Sequence, residues 1–254
     1  MTEPGEHPTN LNLPRAGERL DDLQRGGLHI LQKVRGFRFG TDAVLLAHFA
    51  GVRPGDRVVD LGAGTGILPL LMSARCPSAT FTAIELQAEM ADMAARSVAL
   101  NRLGERIAVR EADLRDAPSL LGHGRTDLVV CNPPYSPLGA ALANGDPARA
   151  LARHEVGCTL AQVIESAGKL LRNGGRLAMV FPAQRLLELL DAQRAARVEP
   201  KRVRLVHQRV EDPPKLALVE GVKLAQPALH WLPPLILCDA DGAYTAEARR
   251  VYGE

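Results

Sequence analysis

The sequence predicts an α/β fold: a mostly parallel sheet of seven strands with one reversed strand, covered by helices on both faces. Three observations predict it. From Arg57 onward, short apolar runs alternate with helical patterns, which requires crossover connections and a sheet buried on both sides. The glycine-rich stretch Asp60-Leu61-Gly62-Ala63-Gly64-Thr65-Gly66 falls at the first strand-to-helix turn, where open α/β sheets bind ligands. Late in the chain, Pro213-Pro214 separates two strand patterns by too few residues for a helical crossover, so those strands must run antiparallel.

The chain has 254 residues, enough for one large domain with additions but not for two equal ones. Residues 1–24 are polar and are expected to form a poorly ordered head, 25–50 an extension, and 51–254 the main domain with a C-terminal extension. In the extension, Leu28 to Val34, the turn Arg35-Gly36 and Phe37-Arg38-Phe39 read as a short hairpin or an extended strand with a turn. Gly40-Thr41-Asp42 then opens a helix from Ala43 to Ala50, with Thr41 or Asp42 suited to cap it.

The main domain begins with a buried strand, Arg57 to Leu61, and a helix, Ile67 to Arg75. A second strand from Ala79 to Glu85 precedes a helix from Gln87 to Leu100. Arg106 to Glu111 and Asp127 to Cys131 are the third and fourth strands. A helix from Thr159 to Leu171 stops at Asn173-Gly174-Gly175, followed by a fifth strand, Arg176 to Phe181, and a helix from Ala183 to Arg194. Val203 to Arg209 and Lys215 to Val222 complete the sheet. The tail adds one extended segment, Trp231 to Cys238, and a short helix.

The formal net charge is +2 with a sequence pI near 8.4, which permits a nucleic-acid partner without requiring one. Cys76, Cys131, Cys158 and Cys238 are widely spaced and form no C-x-x-C pair, so neither a zinc site nor a disulfide framework is indicated. No apolar run approaches a membrane span and the first residues lack a signal-peptide core. A cytoplasmic protein with reduced thiols is expected.

Counting from Gly62, the dinucleotide fingerprint would require glycine at the position that Ile67 occupies, which disfavours a pyrophosphate. Glu85 ends the second strand, where a carboxylate can accept both hydroxyls of a ribose. Asp113 follows the third strand and can accept from an adenine amino group. Each residue has a bland use as a turn or cap, but together they outline a pocket for an adenosine without phosphates. This combination resembles the class I S-adenosylmethionine-dependent methyltransferases, with their Rossmann-like fold. The resemblance implies that Asp60, Gly62, Ala63, Gly64 and Gly66 border the methionine part of the cofactor. It likewise implies that Glu85 and Leu86 hold the ribose, and Asp113 and Leu114 the adenine.

The fourth strand ends in Asn132-Pro133-Pro134-Tyr135. Prolines remove backbone donors and fix direction, leaving the Asn132 amide and the Pro133 carbonyl as directed acceptors beside the Tyr135 ring. Two acceptors aimed at one NH2 group orient it and favour the positive charge that develops on nitrogen during attack. An aromatic plate can stack on the planar group that carries the amine. The tetrapeptide resembles the signature of amino methyltransferases acting on adenine N6, guanine N2 or a glutamine side-chain amide, in which the Asn also borders the cofactor.

Phe39 to Ala47, Asn132 to Gly139, Ala152-Arg153-His154-Glu155 and the tail from Leu232 to Thr245 resemble the bacterial tRNA adenine-N6 methyltransferase family. That resemblance implies an RNA substrate, a tRNA anticodon loop, with Thr41 and Asp42 closing over the cofactor. Lys33, Arg35 and Arg38 stand near the expected entrance, and Arg153 and His154 follow the loop from Gly139 to Ala148, which is expected to order when substrate arrives. A second basic group, Arg194, Arg197, Lys201, Arg202, Arg204 and Arg209, surrounds the sixth strand and serves either RNA or solvation. A protein glutamine or small-molecule methyltransferase and a noncatalytic RNA-binding relative are the alternative functions. No metal is expected.

Overall fold

The computed structural model of the chain describes residues 13–35, 40–133 and 158–253. Three strands form one end of the sheet, with β5 at its edge: β3 (Arg57–Leu61), β4 (Thr80–Glu85) and β5 (Ile107–Glu111). β6 (Thr126–Cys131) pairs with the other side of β3, followed outward by β7 (Leu171–Pro182), β9 (Leu216–Lys223) and β8 (Val198–His207). All pairs are parallel except those of β9, which runs antiparallel to both β7 and β8. The single reversed strand therefore follows the short Pro213-Pro214 connection, as the sequence requires. Two two-residue strands, β10 (His230–Trp231) and β11 (Leu235–Ile236), lengthen the sheet by pairing along β8.

Adjacent residues on the central strands belong to opposite cores. Val58, Val130, Val180 and Leu218 pack in one cluster with Leu45 and Leu46 of α1 (Thr41–Phe49) and with Leu70 and Leu71 of α2 (Ile67–Arg75). Val59, Val129, Met179 and Val219 pack in the other with Ile164 of α5 (Leu160–Leu170) and Leu189 of α6 (Leu186–Ala195). A strand buried on both faces has no polar side to alternate with, which is why these runs read as continuous Val, Leu and Ile. α3 (Ala88–Leu100) follows β4, the short α4 (Ala117–Leu121) follows β5, and α7 (Ala246–Tyr252) ends the chain. Among the described residues, no helix is long and apolar enough to cross a membrane.

The structure corrects several boundaries. His29–Lys33 (β2) pairs with Glu18–Asp22 (β1) upstream, inside the head expected to be poorly ordered; Phe37 to Phe39, the arm expected to follow it, lie outside the described residues. The strand ERLDD lies at a sheet edge and shows no apolar alternation, so burial left no pattern to read. Neither Thr41 nor Asp42 caps α1: Gly40 holds that position without a side-chain cap. β8 begins five residues earlier than its apolar run and passes through Pro200, where the register shifts between Pro200 and Arg202. A bulge is one of the places where a strand tolerates a proline. Asn173-Gly174-Gly175 does not end a helix but sits inside β7, at the register shift opposite Thr126 and Leu128. A Cβ on Gly175 would stand 2.8 Å from the Arg172 carbonyl and 3.1 Å from that of Thr126. The extended tail segment is two strands split at Pro233-Pro234, and the helix expected from Ala183 opens as a 3-10 turn over Ala183–Arg185.

One buried ionic group ties α1 to the sheet. Arg176 pairs with Asp56 at 2.6 Å and Glu220 at 3.6 Å, and donates to the carbonyls of Ala50 at 3.2 Å and Gly51 at 2.9 Å. Removing one partner of such a cluster strands the others in low dielectric. Arg176→Ala is therefore expected to cost about 3–5 kcal/mol, measured by denaturant unfolding against Arg176→Lys as the milder variant. A loss below about 1 kcal/mol would show that the carboxylates are solvated.

Candidate functional site at the switch point of the sheet

β4 lies on one side of β3 and β6 on the other, so the carboxyl ends of these strands flank the point where strand order reverses. Ligands of open α/β sheets bind in the crevice at such a point. The chain there must turn sharply, and Gly62, Gly64 and Gly66 take φ of 77°, 55° and 83°, a region that other residues enter only with strain. The loop is fastened below by hydrogen bonds from the Gly62 and Ala63 amides to the Ile84 carbonyl at 2.9 and 3.0 Å. At Gly66 a Cβ would come within 3.2 Å of the Ala94 Cβ, whereas above Gly62 nothing stands within 4 Å of one. One glycine allows helix packing; the other keeps the upper side of the loop open.

Glu85 closes the second side. Its Oε2 accepts from the Gly64 amide and its Oε1 from the Gln87 amide, both at 2.8 Å, so the carboxylate joins the loop to the start of α3. Asp60 lies beside it, 1% exposed. Neither of its carboxylate oxygens has a hydrogen-bond partner among the described residues. Burial, and then the charge of Glu85, push the Asp60 carboxyl well above the usual carboxylate range. A buried carboxyl without a donor is costly, and that cost is what favours its protonated form. The same pair of groups presents acceptors to any ligand that brings donors or positive charge.

Asp113 occupies the turn after β5, where its carboxylate accepts from the Arg115 backbone amide at 2.8 Å and forms an ion pair with the Arg115 guanidinium. That side-chain hydrogen bond holds the Asp113 carboxyl below its ordinary range. Cys158 is close enough to feel the charges of Asp113 and Arg115; no sequence pattern foretold that approach. Leu114 packs against the cluster below, and Leu86 is exposed.

Asn132 and Pro133 complete the crevice from the other side of β3. Val130 is in register with Asp60, which puts Asn132 two residues further on, level with Gly62. Pro134 and Tyr135 lie outside the described residues, as do Arg38, Arg153, His154 and the loop from Gly139 to Ala148. Thr41 and Asp42 stand in the first turn of α1, and the Tyr252 hydroxyl of α7 lies beside them. Burial, and then Tyr244, push that hydroxyl up to about 12. The tail was expected as an extended segment and a short helix with part of the family resemblance, and this contact had no signal in the sequence beyond two tyrosines eight residues apart.

The basic residues divide. Lys33 forms an ion pair with Glu89 in the first turn of α3, which neutralises the charge expected to face substrate; Arg35 is exposed. In the second group, Arg202 pairs with Glu220 at 2.9 Å and lies 4.9 Å over the Phe49 ring. Arg204 pairs with Glu247 at 2.7 Å, and Lys201 donates to the Gln226 carbonyl at 3.1 Å. Of this second group, which the sequence left open between RNA and solvation, these three hold the sheet edge to α1 and the tail.

The crevice suits S-adenosylmethionine on structural grounds: an unpartnered buried carboxyl, a glycine loop open above, and two further carboxylates at successive strand ends. Comparison with known proteins agrees. The family model described as "Methyltransferase small domain" matches residues 37–194. A Porphyromonas gingivalis protein named tRNA1(Val) (adenine(37)-N6)-methyltransferase is 34% identical over 223 residues, covering 84% of this chain and 86% of its own. A Tolumonas auensis protein of the same name is 36% identical over 185 residues, covering 68% and 75%. Among solved structures, a predicted O-methyltransferase from Agrobacterium tumefaciens superposes with a TM-score of 0.69 at 27% identity, covering 84% of this chain and 95% of that one.

Proposed function

This chain belongs to the methyltransferase small domain family and, with the Porphyromonas relative, to the tRNA adenine-N6 methyltransferases, and from that premise we propose how its residues act. It is an S-adenosylmethionine-dependent methyltransferase whose acceptor is the exocyclic N6 amine of an adenine in tRNA. The finer reading is that the adenine lies in an anticodon loop, next to the anticodon, and that the enzyme works in the cytoplasm where tRNA is found. The single observation that carries the catalytic reading is the position of Asn132-Pro133, level with the glycine loop across β3.

Bound in the crevice, the cofactor supplies a methyl group on a sulfonium, open to in-line displacement. Asp60 and the backbone of Gly62, Ala63, Gly64 and Gly66 hold its methionine part. Glu85 accepts from its ribose with Leu86 beneath, and Asp113 accepts from its adenine with Leu114 alongside. Thr41 and Asp42 border it from α1. On the substrate side, the Asn132 amide oxygen and the Pro133 carbonyl accept the two N–H bonds of the target amine. This turns the nitrogen lone pair out of conjugation and toward the methyl group, and it stabilises the developing positive charge. Pro134 fixes the direction of the Pro133 carbonyl, and Tyr135 stacks on the unpaired adenine. The methylated nitrogen then loses a proton to solvent, so no strong base is required. Arg35, Arg38, Arg153 and His154 are assigned to the RNA backbone, and Lys33 to the same edge through its exchangeable pair with Glu89.

Unmodified bulk tRNA incubated with methyl-labelled cofactor and digested to nucleosides tests this reading. Label is expected in N6-methyladenosine, and an anticodon-loop transcript with guanine in place of the target adenine is expected to take none. Label recovered only in protein, or in a guanine nucleoside, overturns it.

A further inference from the structure

At the foot of α1, one guanidinium touches an imidazole that two more are near enough to influence. Arg75, the last residue of α2, places Nη1 2.7 Å from Nδ1 of His48. A guanidinium can only donate, so this imidazole nitrogen accepts and the ring is neutral. Arg25, in the turn between β1 and β2, donates to the carbonyl of Val251 in α7, and its Cζ lies 3.0 Å from where a Cβ on Gly253 would stand. Arg204 of β8 is the third, donating to the Pro233 carbonyl at 3.0 Å.

The charges do not balance. Glu247 is the carboxylate facing this group, and Arg204 takes it at 2.7 Å. Among the described residues, neither Arg25 nor Arg75 forms an ion pair; each is anchored on a neutral acceptor. Burial first, then Arg75, Arg25 and Arg204, push His48 down to about 4, and Arg75 is itself lowered by burial and by Arg25. Like charges held this close cost free energy unless an anion joins them. Arg75 is exposed and Arg25 half-buried, and the exposed Arg249 and Arg250 of α7 extend the positive surface. The cluster stands at the opposite end of α2 from the glycine loop, about 13 Å along a nine-residue helix at ~1.5 Å per residue. A ligand that touches both ends must therefore be large.

We propose that Arg25 and Arg75, with Arg204 held behind them by Glu247, form a docking site for the phosphodiester backbone of the RNA substrate, remote from the target base. This rests on the reading of tRNA as the substrate. Guanidinium forks match phosphate oxygens two at a time, and such contacts position a nucleic acid without reading its sequence. His48 is the neutral strut that holds Arg75 toward the surface.

The test is binding of bulk tRNA as a function of salt, with no methyl transfer required. In Arg25→Gln/Arg75→Gln, the Kd for tRNA is expected to rise about tenfold, and the slope of log affinity against log salt to fall by about two. Methylation of a short oligonucleotide confined to the target loop, and cofactor affinity, are expected to stay unchanged, which shows that the variant is folded. Arg25→Lys/Arg75→Lys retains most of the affinity, and Glu247→Gln, which frees Arg204, tightens binding about threefold. Unchanged tRNA affinity and salt slope in the Gln pair overturn the proposal. So does stabilisation by inorganic phosphate that depends on Arg25 and Arg75 while tRNA binding does not. Label appearing only in protein in the nucleoside assay defeats the tRNA reading instead, and leaves this binding measurement to be judged by itself.

Discussion

Asn132→Ala is expected to lower kcat for methyl transfer about 10²–10³-fold while changing cofactor affinity by less than about twofold. The magnitude is that of removing one preorganised hydrogen-bonding group aimed at developing charge. Cofactor binding survives because the groups proposed to hold it are spread over other strands: Asp60 on β3, Glu85 on β4 and Asp113 after β5. Asn132→Asp sharpens the result. An ionised side chain keeps one acceptor of similar shape but introduces a charge beside buried Asp60, so it recovers only part of the rate and does so in a pH-dependent way. Equilibrium binding of the demethylated cofactor and single-turnover transfer to tRNA separate the two quantities. Equal losses in both would reassign Asn132 to holding the cofactor, and a rate within tenfold of the parent would remove it from the chemistry.

What could be read in the sequence follows from where burial leaves a pattern. β3, β4, β6 and β7 carry apolar residues for both cores, so their runs stand out, and the ligand-facing residues sit at their carboxyl ends by construction. The reversed β9 was legible because two prolines forbid any helix before it. β1 was not, because ERLDD lies on an edge and owes its strand state to β2. The start of β8 was hidden by Pro200, whose bulge only the partner strand explains. Functional geometry behaves alike. Asp60, Glu85 and Asn132 are close in space because neighbouring strands are in register, which topology foretells. The cluster of Arg25, His48, Arg75 and Arg204 comes from a turn, two helices and an edge strand, and the approach of Tyr252 to Thr41 from opposite ends of the chain. Neither has a local signature, and counting basic residues along the chain picked out Arg202, Arg204 and Lys201, whose charges the fold itself uses.

Asp60→Asn is expected to move stability and binding in opposite directions. The folded protein holds the Asp60 carboxyl well above its ordinary value of 3.8, so between that value and the raised one the folded state binds more protons than the unfolded state. Stability therefore declines as pH rises through this window. An amide cannot ionise, so the variant lacks this decline and gains stability relative to the parent as pH rises through the window. The cofactor, which carries positive charge, favours the ionised carboxylate. Its binding to the parent should release a proton at pH values below the raised pKa, seen as a calorimetric heat that varies with the ionisation enthalpy of the buffer. In the variant that proton release disappears and cofactor affinity falls about 100-fold, some 2.7 kcal/mol at 1.36 per decade. A merely structural aspartate gives the reverse: lower stability, near-normal affinity and a buffer-independent heat. A carboxyl without a hydrogen-bond partner among the described residues costs stability by itself and gains from a ligand of opposite charge, so a binding site of this kind leaves its trace in the stability of its own protein.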